Sequence, residues 1–147
     1  MTIRPDMDGR PILVVPPPPP VEVLAARAEA DVRRQSAAAR DAWRTPGKDG
    51  VYQLKLEEAA AWRVAGEPAD PSPYPHLAAE VGLTAATVGE LAALWEALAA
   101  AWAAASAAIE AVEQRALKAI RDAVAADDRA AIDAALRDLA WPVPPVR

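Results

Sequence analysis

A histidine, paired carboxylates and glycine-containing turns are the features of this chain that could support catalysis or metal binding. His76 is the single histidine, and cysteine is absent. A zinc site needs several His, Cys or carboxylate ligands at suitable spacing, and a catalytic triad needs a nucleophile beside its histidine. The sequence around His76, which follows Pro75 at a predicted helix start, offers neither. We therefore interpret His76 as a surface or helix-capping residue.

The paired carboxylates also have structural interpretations. Asp127 and Asp128 fall at a predicted helix N-terminus, where acidic side chains are favoured by capping and by the helix dipole. Glu57 and Glu58 are neighbours in a predicted helix, so their side chains point in different directions. The glycines lack the spacing and the lysine of a phosphate-binding loop. The sequence therefore predicts no catalytic residue, no metal site and no cofactor, and we expect the protein not to be an enzyme.

Length and charge narrow the class of protein further. A chain of 147 residues can form one domain with a real core but hardly two. Its net charge is −5, and its one basic spot, Arg33, Arg34 and Arg40, lies among acidic residues and is interpreted as a solvated helix face. Nucleic-acid binding needs a basic face, so we expect no nucleic-acid partner. The longest uncharged run, 97–109, is too short to cross a bilayer, so we expect no membrane partner, and the start shows no secretory signal.

Helical periodicity predicts an all-α fold, an elongated helical hairpin or coiled-coil-like bundle. Prolines exclude helix from residues 1–20, the predicted extended Pro-rich arm. Gly66 is placed to end one helix. Thr84 is placed to cap the longest helix, and Thr87 with Glu90 forms a rival capping box. The predicted helices of the domain at 21–140 cover about 21–44, 51–65, 84–126 and 128–140, with a short turn at 76–81, and an extended Pro-rich tail follows at 141–147.

The long helix carries an apolar seam with a 3.5-residue repeat, the spacing typical of coiled coils. Its positions are separated by alternating steps of three and four: Val88, Leu91, Trp95, Leu98, Trp102, Ala105, Ile109, Val112, Ala116 and Ala119. Alanine dominates the helices, and it favours helix strongly but buries little area per residue. We therefore expect a thin bundle that depends on a few large side chains or on a partner, and the 3.5-residue repeat predicts a homo-oligomer.

Two proline-rich segments are candidate partner-binding sites. Ile12, Leu13, Val14 and Val15 form a strand-like run that could add to the sheet edge of another protein or fold back on this chain's helices, and both alternatives remain open. The block from Pro16 through Pro18 to Pro20 predicts a polyproline II rod. The candidate set is completed by residues of the seam and the tail: Trp95, Trp102, Trp141, Pro142 and Pro145.

The tryptophans have two interpretations. Trp43, Trp62, Trp95 and Trp102 could all be core residues that supply the volume alanine lacks. Alternatively, one or two could be exposed anchors for a partner, since tryptophan is enriched at interface hot spots. Trp141, which is followed by prolines, fits the second interpretation better.

Two stretches resemble a known family. The segment Tyr52 to Trp62, the Pro-rich break with Tyr74-Pro75, the Thr-capped helix and the IleGluAlaVal sequence at Ile109 are similar to small helical proteins encoded with phage tail fibres. The ending Trp141-Pro142-Val143-Pro144-Pro145 resembles the WPxxP-type terminus of tail fibre assembly proteins of tailed phages. The resemblance implies a protein that acts on the tail fibre, as an assembly chaperone or as a retained component. The N-terminal proline block departs from the pattern and favours the structural component.

The resulting hypothesis is a non-enzymatic structural protein of a phage tail or tail fibre. It would attach to other phage tail or tail-fibre proteins through its Pro-rich ends and helical seam, and it would be located in the virion tail after assembly in the host cytoplasm. The alternatives are a dissociable tail fibre assembly chaperone, and a host helical scaffold such as a granule-coating protein.

Overall fold

The computed structural model describes residues 2–5, 11–14, 17–45 and 47–145 and confirms the predicted all-α class. A small hairpin precedes the helices, with strands β1 (Thr2–Pro5) and β2 (Pro11–Val14). The helices in the described part of the chain are α1 (Val21–Ala42), α2 (Asp49–Val64), α3 (Pro75–Glu80), α4 (Val88–Ala125) and α5 (Arg129–Arg137).

Helix α4 is the element around which the others pack. Its 38 residues extend over about 57 Å at the usual rise per residue. It begins with the capping box of Thr87 and Glu90: the Thr87 hydroxyl accepts from the Glu90 amide at 3.2 Å, and the Glu90 carboxylate accepts from the Thr87 amide at 3.0 Å. The prediction that Thr84 caps the helix is wrong. A parallel bridge between Val81 and Ala85 holds that segment in a turn, so the helix cannot start there.

The C-terminal half of α4 packs against α1 and α5. We call this cluster the α1–α5 core. Helix α1 runs antiparallel to α4, because Ala25 lies near Val124 while Arg40 reaches Glu110. The buried side chains of this core lie at helical spacing on each helix: Val21, Ala25, Ala28, Val32, Ala116, Leu117, Ile120, Ala123 and Ile132.

The N-terminal half of α4 packs against α2 and α3 in a second cluster, the α2–α3 core. It contains Ala59, Trp62, Leu77, Leu91, Ala92 and Trp95. Gly89 allows α2 to come close, because a β-carbon at this position would lie 3.7 Å from the Trp62 ring. The two cores share no residue, so α4 carries one core at each end.

Local signals end the helices near the predicted positions. Gly66 follows α2 at φ 85°, and its neighbour Glu67 donates its amide to the Trp62 carbonyl at 3.0 Å, the pattern of a Schellman cap. Helix α5 ends at Arg137, three residues before its predicted end. The residues that follow, as far as Pro145, form no further helix or strand in the described part.

The proline-rich segments differ in how they join the helical body. Strands β1 and β2 pair antiparallel with each other, with Ile3 opposite Leu13. Within the described residues the run therefore pairs with β1 and not with the helices, and its addition to the sheet edge of another protein stays a prediction. Pro20 has φ −52° and ψ 151°, as expected for polyproline II. The Arg129 guanidinium donates to the Pro19 carbonyl, which fixes the end of the proline block to α5.

Replacing Trp95 by alanine should destabilise the fold far more than replacing Leu98. Trp95 is 6% exposed in the α2–α3 core, whereas Leu98, one turn along the same seam, is 57% exposed. We expect Trp95→Ala to lower the free energy of unfolding by about 3–5 kcal/mol and Leu98→Ala by less than about 1 kcal/mol. Urea unfolding followed by circular dichroism measures both, and equal losses would contradict this assignment of the core.

Candidate functional site

The neighbourhood of His76 is a helix cap. The Glu58 carboxylate on α2 accepts from the backbone amides of His76 at 2.8 Å and Leu77 at 3.1 Å, and one of its oxygens lies 2.6 Å from His76 Nδ1. These amides belong to the first turn of α3, which has no partner for them within the helix. Glu58 therefore ties α2 to α3 by capping. The capping residue is Glu58, which the sequence did not reveal, and His76 is a half-buried residue of the capped turn.

The Asp127–Asp128 pair forms the turn between α4 and α5. Asp127 has φ 51°, a left-handed conformation that asparagine and aspartate tolerate better than most residues. Asp128 donates its amide to the Ala123 carbonyl at 2.9 Å, and its carboxylate accepts from the Ala131 amide at 3.0 Å. It thus completes the C-terminal cap of α4 and caps α5, as predicted for one of the two aspartates. Among the described residues, no group of three or more His, Asp or Glu side chains is placed to hold a metal ion.

Ser36, Arg40 and Glu113 form a polar network between α1 and α4. Ser36 is fully buried, and its hydroxyl donates to the Glu113 carboxylate. Arg40 donates to the Ser36 hydroxyl, to Glu113 at 3.1 Å and to Glu110 at 2.7 Å. The pKa of Glu113 lies below its ordinary value because the Ser36 hydroxyl, and after it Arg40, stabilise the carboxylate, while burial acts in the opposite direction. This network fixes the register of α1 on α4.

The arginine cluster predicted as one solvated face is divided by the structure. Arg33 and Arg34 pair with Glu29 and Asp31 on their own helix. Arg40 instead crosses to α4, and its side chain is 29% exposed. The predicted solvated face therefore holds for Arg33 and Arg34 but not for Arg40.

The candidate tryptophans lie in different environments. Trp95 is buried in the α2–α3 core, with the Lys55 ammonium 5.1 Å from its ring centroid. Trp102 is half-buried near the middle of α4. Trp141 is half-buried against the α1–α5 core, and its indole N–H donates to Gln35 at 3.1 Å. In this fold Trp95 and Trp141 therefore contact their own chain.

The proline-rich candidates are also divided. The Pro142 carbonyl accepts from the Trp43 indole at 3.3 Å, so the tail lies along α1. Val143 is 81% exposed and Pro145 is exposed.

The candidates of the N-terminal arm lie apart from the tail. Pro18 and Pro20 are exposed, and Ile12, Leu13 and Val14 lie in β2. Val15 and Pro16 lie outside the described residues. The structure thus joins Trp141 and Pro142 to the helical body, whereas Pro145 is exposed and β2 lies in a separate hairpin.

The predicted seam of α4 is exposed at Leu98, between buried members at Leu91 and Trp95 on one side and at Ala105 and Ile109 on the other. Leu91, Trp95, Ile109 and Ala116 are buried, whereas Leu98 is 57% exposed. Beside it, Leu94 is 40% exposed. The exposed residues between 97 and 108 are all alanine or leucine.

Helix α4 is long and apolar enough, by length and composition, to cross a membrane. Its most apolar stretch of 18 residues has a mean hydropathy of 1.4, and 22% of that stretch is buried in the fold. An ordinary core helix can have the same length and composition, but most of it is buried. The low burial of this stretch distinguishes α4 from such a helix. The absence of membrane contact stays a prediction.

Comparisons with known protein families, with curated proteins and with solved structures found no match.

Replacing Glu113 by glutamine should reduce stability in a pH-dependent way. Because the pKa of Glu113 is lowered in the folded state, its carboxylate stabilises the fold above the unfolded pKa of about 4.3, and this contribution is lost as the pH falls through the folded pKa. We expect Glu113→Gln to cost about 1–3 kcal/mol at pH 7 and progressively less below pH ~4.

Urea unfolding of the parent and the variant at several pH values measures this difference. Glu110→Gln is the matched control, since Glu110 also contacts Arg40 but is 54% exposed and should change stability less. A cost for Glu113→Gln that does not vary with pH would show that the substitution acts through packing.

Proposed function

We propose that this chain is a non-enzymatic structural protein that attaches to other proteins through its N-terminal hairpin, while the helical body acts as a stiff rod. The hairpin is the observation that carries the proposal. Within the described ranges, β1 and β2 contact each other and lie near none of the helices. An isolated two-stranded hairpin is at best marginally stable in water. A partner that extends this sheet would stabilise it.

Among the described residues, the pairing of the hairpin leaves the outer edge of each strand unpaired. The register Thr2 to Val14 through Pro5 to Pro11 uses one edge of each strand, so the outer edges of the four-residue strands remain available. Open strand edges are templates for another strand, and strand addition is a common mode of protein recognition. The attachment site is therefore a sheet edge, with affinity supplied by main-chain hydrogen bonds.

The helical body is suited to act as a spacer. Helix α4 extends over about 57 Å, and the α1–α5 core and α2–α3 core lie at its two ends. The hydrogen bonds of Arg129 with Pro19 and of Trp43 with Pro142 join the proline-rich segments to this body.

The resemblance to tail-fibre-associated proteins supports a more specific form of the proposal. In that form the protein is a component of a phage tail, located in the virion, and its partners are other tail or tail-fibre proteins. The motifs that support it are the segment 52–62 and the Trp141-to-Pro145 ending. A dissociable assembly chaperone would carry the same motifs but leave the finished particle.

Deleting residues 1–16 should abolish attachment without unfolding the body. The deletion keeps Pro19 and Pro20, whose carbonyls accept from Arg129 and from the first turn of α1. We expect unchanged helicity and thermal midpoint, together with loss of the proteins that co-purify with the full chain. The control replaces Val143, an 81% exposed residue of the tail, by serine and should retain those proteins.

Loss of helicity on deletion would mean that the arm belongs to the core, and retained partners would place attachment elsewhere. Mass spectrometry of purified particles then tests the biological setting. A structural tail protein is found in the particle, whereas a chaperone is found only in the infected cell. A gene neighbourhood without phage genes would instead favour a host scaffold.

A further inference from the structure

One face of α4, exposed except at Ala105 and in part at Val112, carries a stripe of apolar residues with the spacing of a coiled-coil seam. Its members recur at steps of four and three, and we call them the α4 stripe: Leu94, Leu98, Ala101, Ala105, Ala108 and Val112. Leu94 and Leu98 are 40% and 57% exposed, Ala101 and Ala108 are exposed, and Val112 is half-buried. Ala105, near the centre, is already covered at 5% exposed. The stripe extends over about 27 Å of helix.

From this face we infer that two copies of the chain associate through the α4 stripe, with their α4 helices antiparallel about a two-fold axis level with Ala103. The stripe residues lie at equal distances on either side of Ala103: Leu94 and Val112 nine residues away, Leu98 and Ala108 five, Ala101 and Ala105 two. A two-fold axis at this position therefore places each stripe residue of one copy at the same height along the helix as a stripe residue of the other copy. Such an interface is isologous, because the same patch is used by both copies.

Side-chain size favours the antiparallel direction. Leu98 comes level with Ala108 of the second copy, and Leu94 with Val112, so each large side chain faces a smaller one. This alternation lets two helices interdigitate at close range. A parallel pairing would instead place Leu98 against Leu98 and Leu94 against Leu94 at one end, and alanine against alanine in the middle.

Charge favours the same direction. Glu90 lies beside the N-terminal end of the stripe, Arg115 continues its C-terminal end, and both are exposed. Neither takes part in an ion pair between described residues. In the antiparallel dimer Glu90 lies within one residue of the level of Arg115 from the second copy, at each end. In a parallel dimer Glu90 would face Glu90 and Arg115 would face Arg115, which is repulsive.

The other charges of the segment lie on the opposite side of α4. Glu96 is paired with Arg63 of α2 at 2.6 Å, and Glu110 with Arg40 of α1 at 2.7 Å. These carboxylates are therefore neutralised within the chain. The surface of α4 that would face a second copy is therefore uncharged between Glu90 at one end of the stripe and Arg115 at the other.

Because the chain has no cysteine, disulfide cross-linking can test both association and direction. The double variant Leu98→Cys, Ala108→Cys should form a covalent dimer on mild oxidation, since the two positions come level across the two-fold axis. Within one helix they lie about 15 Å apart, too far for an intrachain disulfide. Leu98→Cys alone should remain monomeric on a non-reducing gel, because its two copies would be separated along the axis by a similar distance.

Sedimentation equilibrium of the full chain supplies the second measurement. We expect a monomer–dimer equilibrium that Leu98→Lys weakens by roughly tenfold or more, with helicity unchanged because Leu98 is exposed. The control is Val64→Lys, at an apolar residue of α2 that is 90% exposed, and it should dimerise like the parent.

Three results would overturn the inference. Cross-linking of Leu98→Cys alone would show a parallel pairing. A monomer at every concentration, with no cross-link in the double variant, would show that copies do not meet on this face. A monomer that floats with vesicles of phosphatidylcholine and phosphatidylglycerol would show that the α4 stripe contacts lipid instead.

Discussion

The whole arrangement depends on the continuity of helix α4. Among the described elements it packs against α1, α2, α3 and α5, and it is shared by the two cores. Each core is small, because alanine at the contacts brings helices close but removes little apolar area from water. Large side chains of α4 are buried in these cores, Leu91 and Trp95 at one end and Leu117 and Ile120 at the other. The middle of the helix is held by its own hydrogen bonds and by the cores on either side.

This arrangement explains why one apolar helix has such different environments along its length. The seam is covered by α2 and α3 at Leu91 and Trp95, and by α1 and α5 at Ala116. Between them, Leu98 faces solvent. The polar network of Ser36, Arg40 and Glu113 joins α1 to α4 on the C-terminal side of this segment. The exposed segment is thus a consequence of how the shorter helices divide the length of α4.

Much of the secondary structure could be predicted because its signals are local. Gly66 ends α2 and Asp128 caps α5 through contacts within a few residues, and the capping box of Thr87 and Glu90 was one of two local alternatives for α4. The contacts that the sequence did not reveal join distant positions. Glu58 caps α3 from 18 residues away, Arg40 reaches Glu113 over 73, and Trp43 meets Pro142 over 99. Periodicity also cannot tell which part of a seam finds a neighbour, so Leu98 and Trp95 looked equivalent until the fold separated them.

The hairpin and the α4 stripe offer two different kinds of surface to partners. The first presents main-chain edges, and the second presents side chains on a rigid helix, so one chain can bind a different protein and a second copy of itself. The most direct test of this account is amide hydrogen exchange of the full chain, measured at low and high protein concentration. We predict that amides of residues 94–112 become protected as concentration rises, while those of both cores keep constant protection. Protection of 94–112 that is the same at every concentration would contradict the claim that the middle of α4 is an open, self-associating surface.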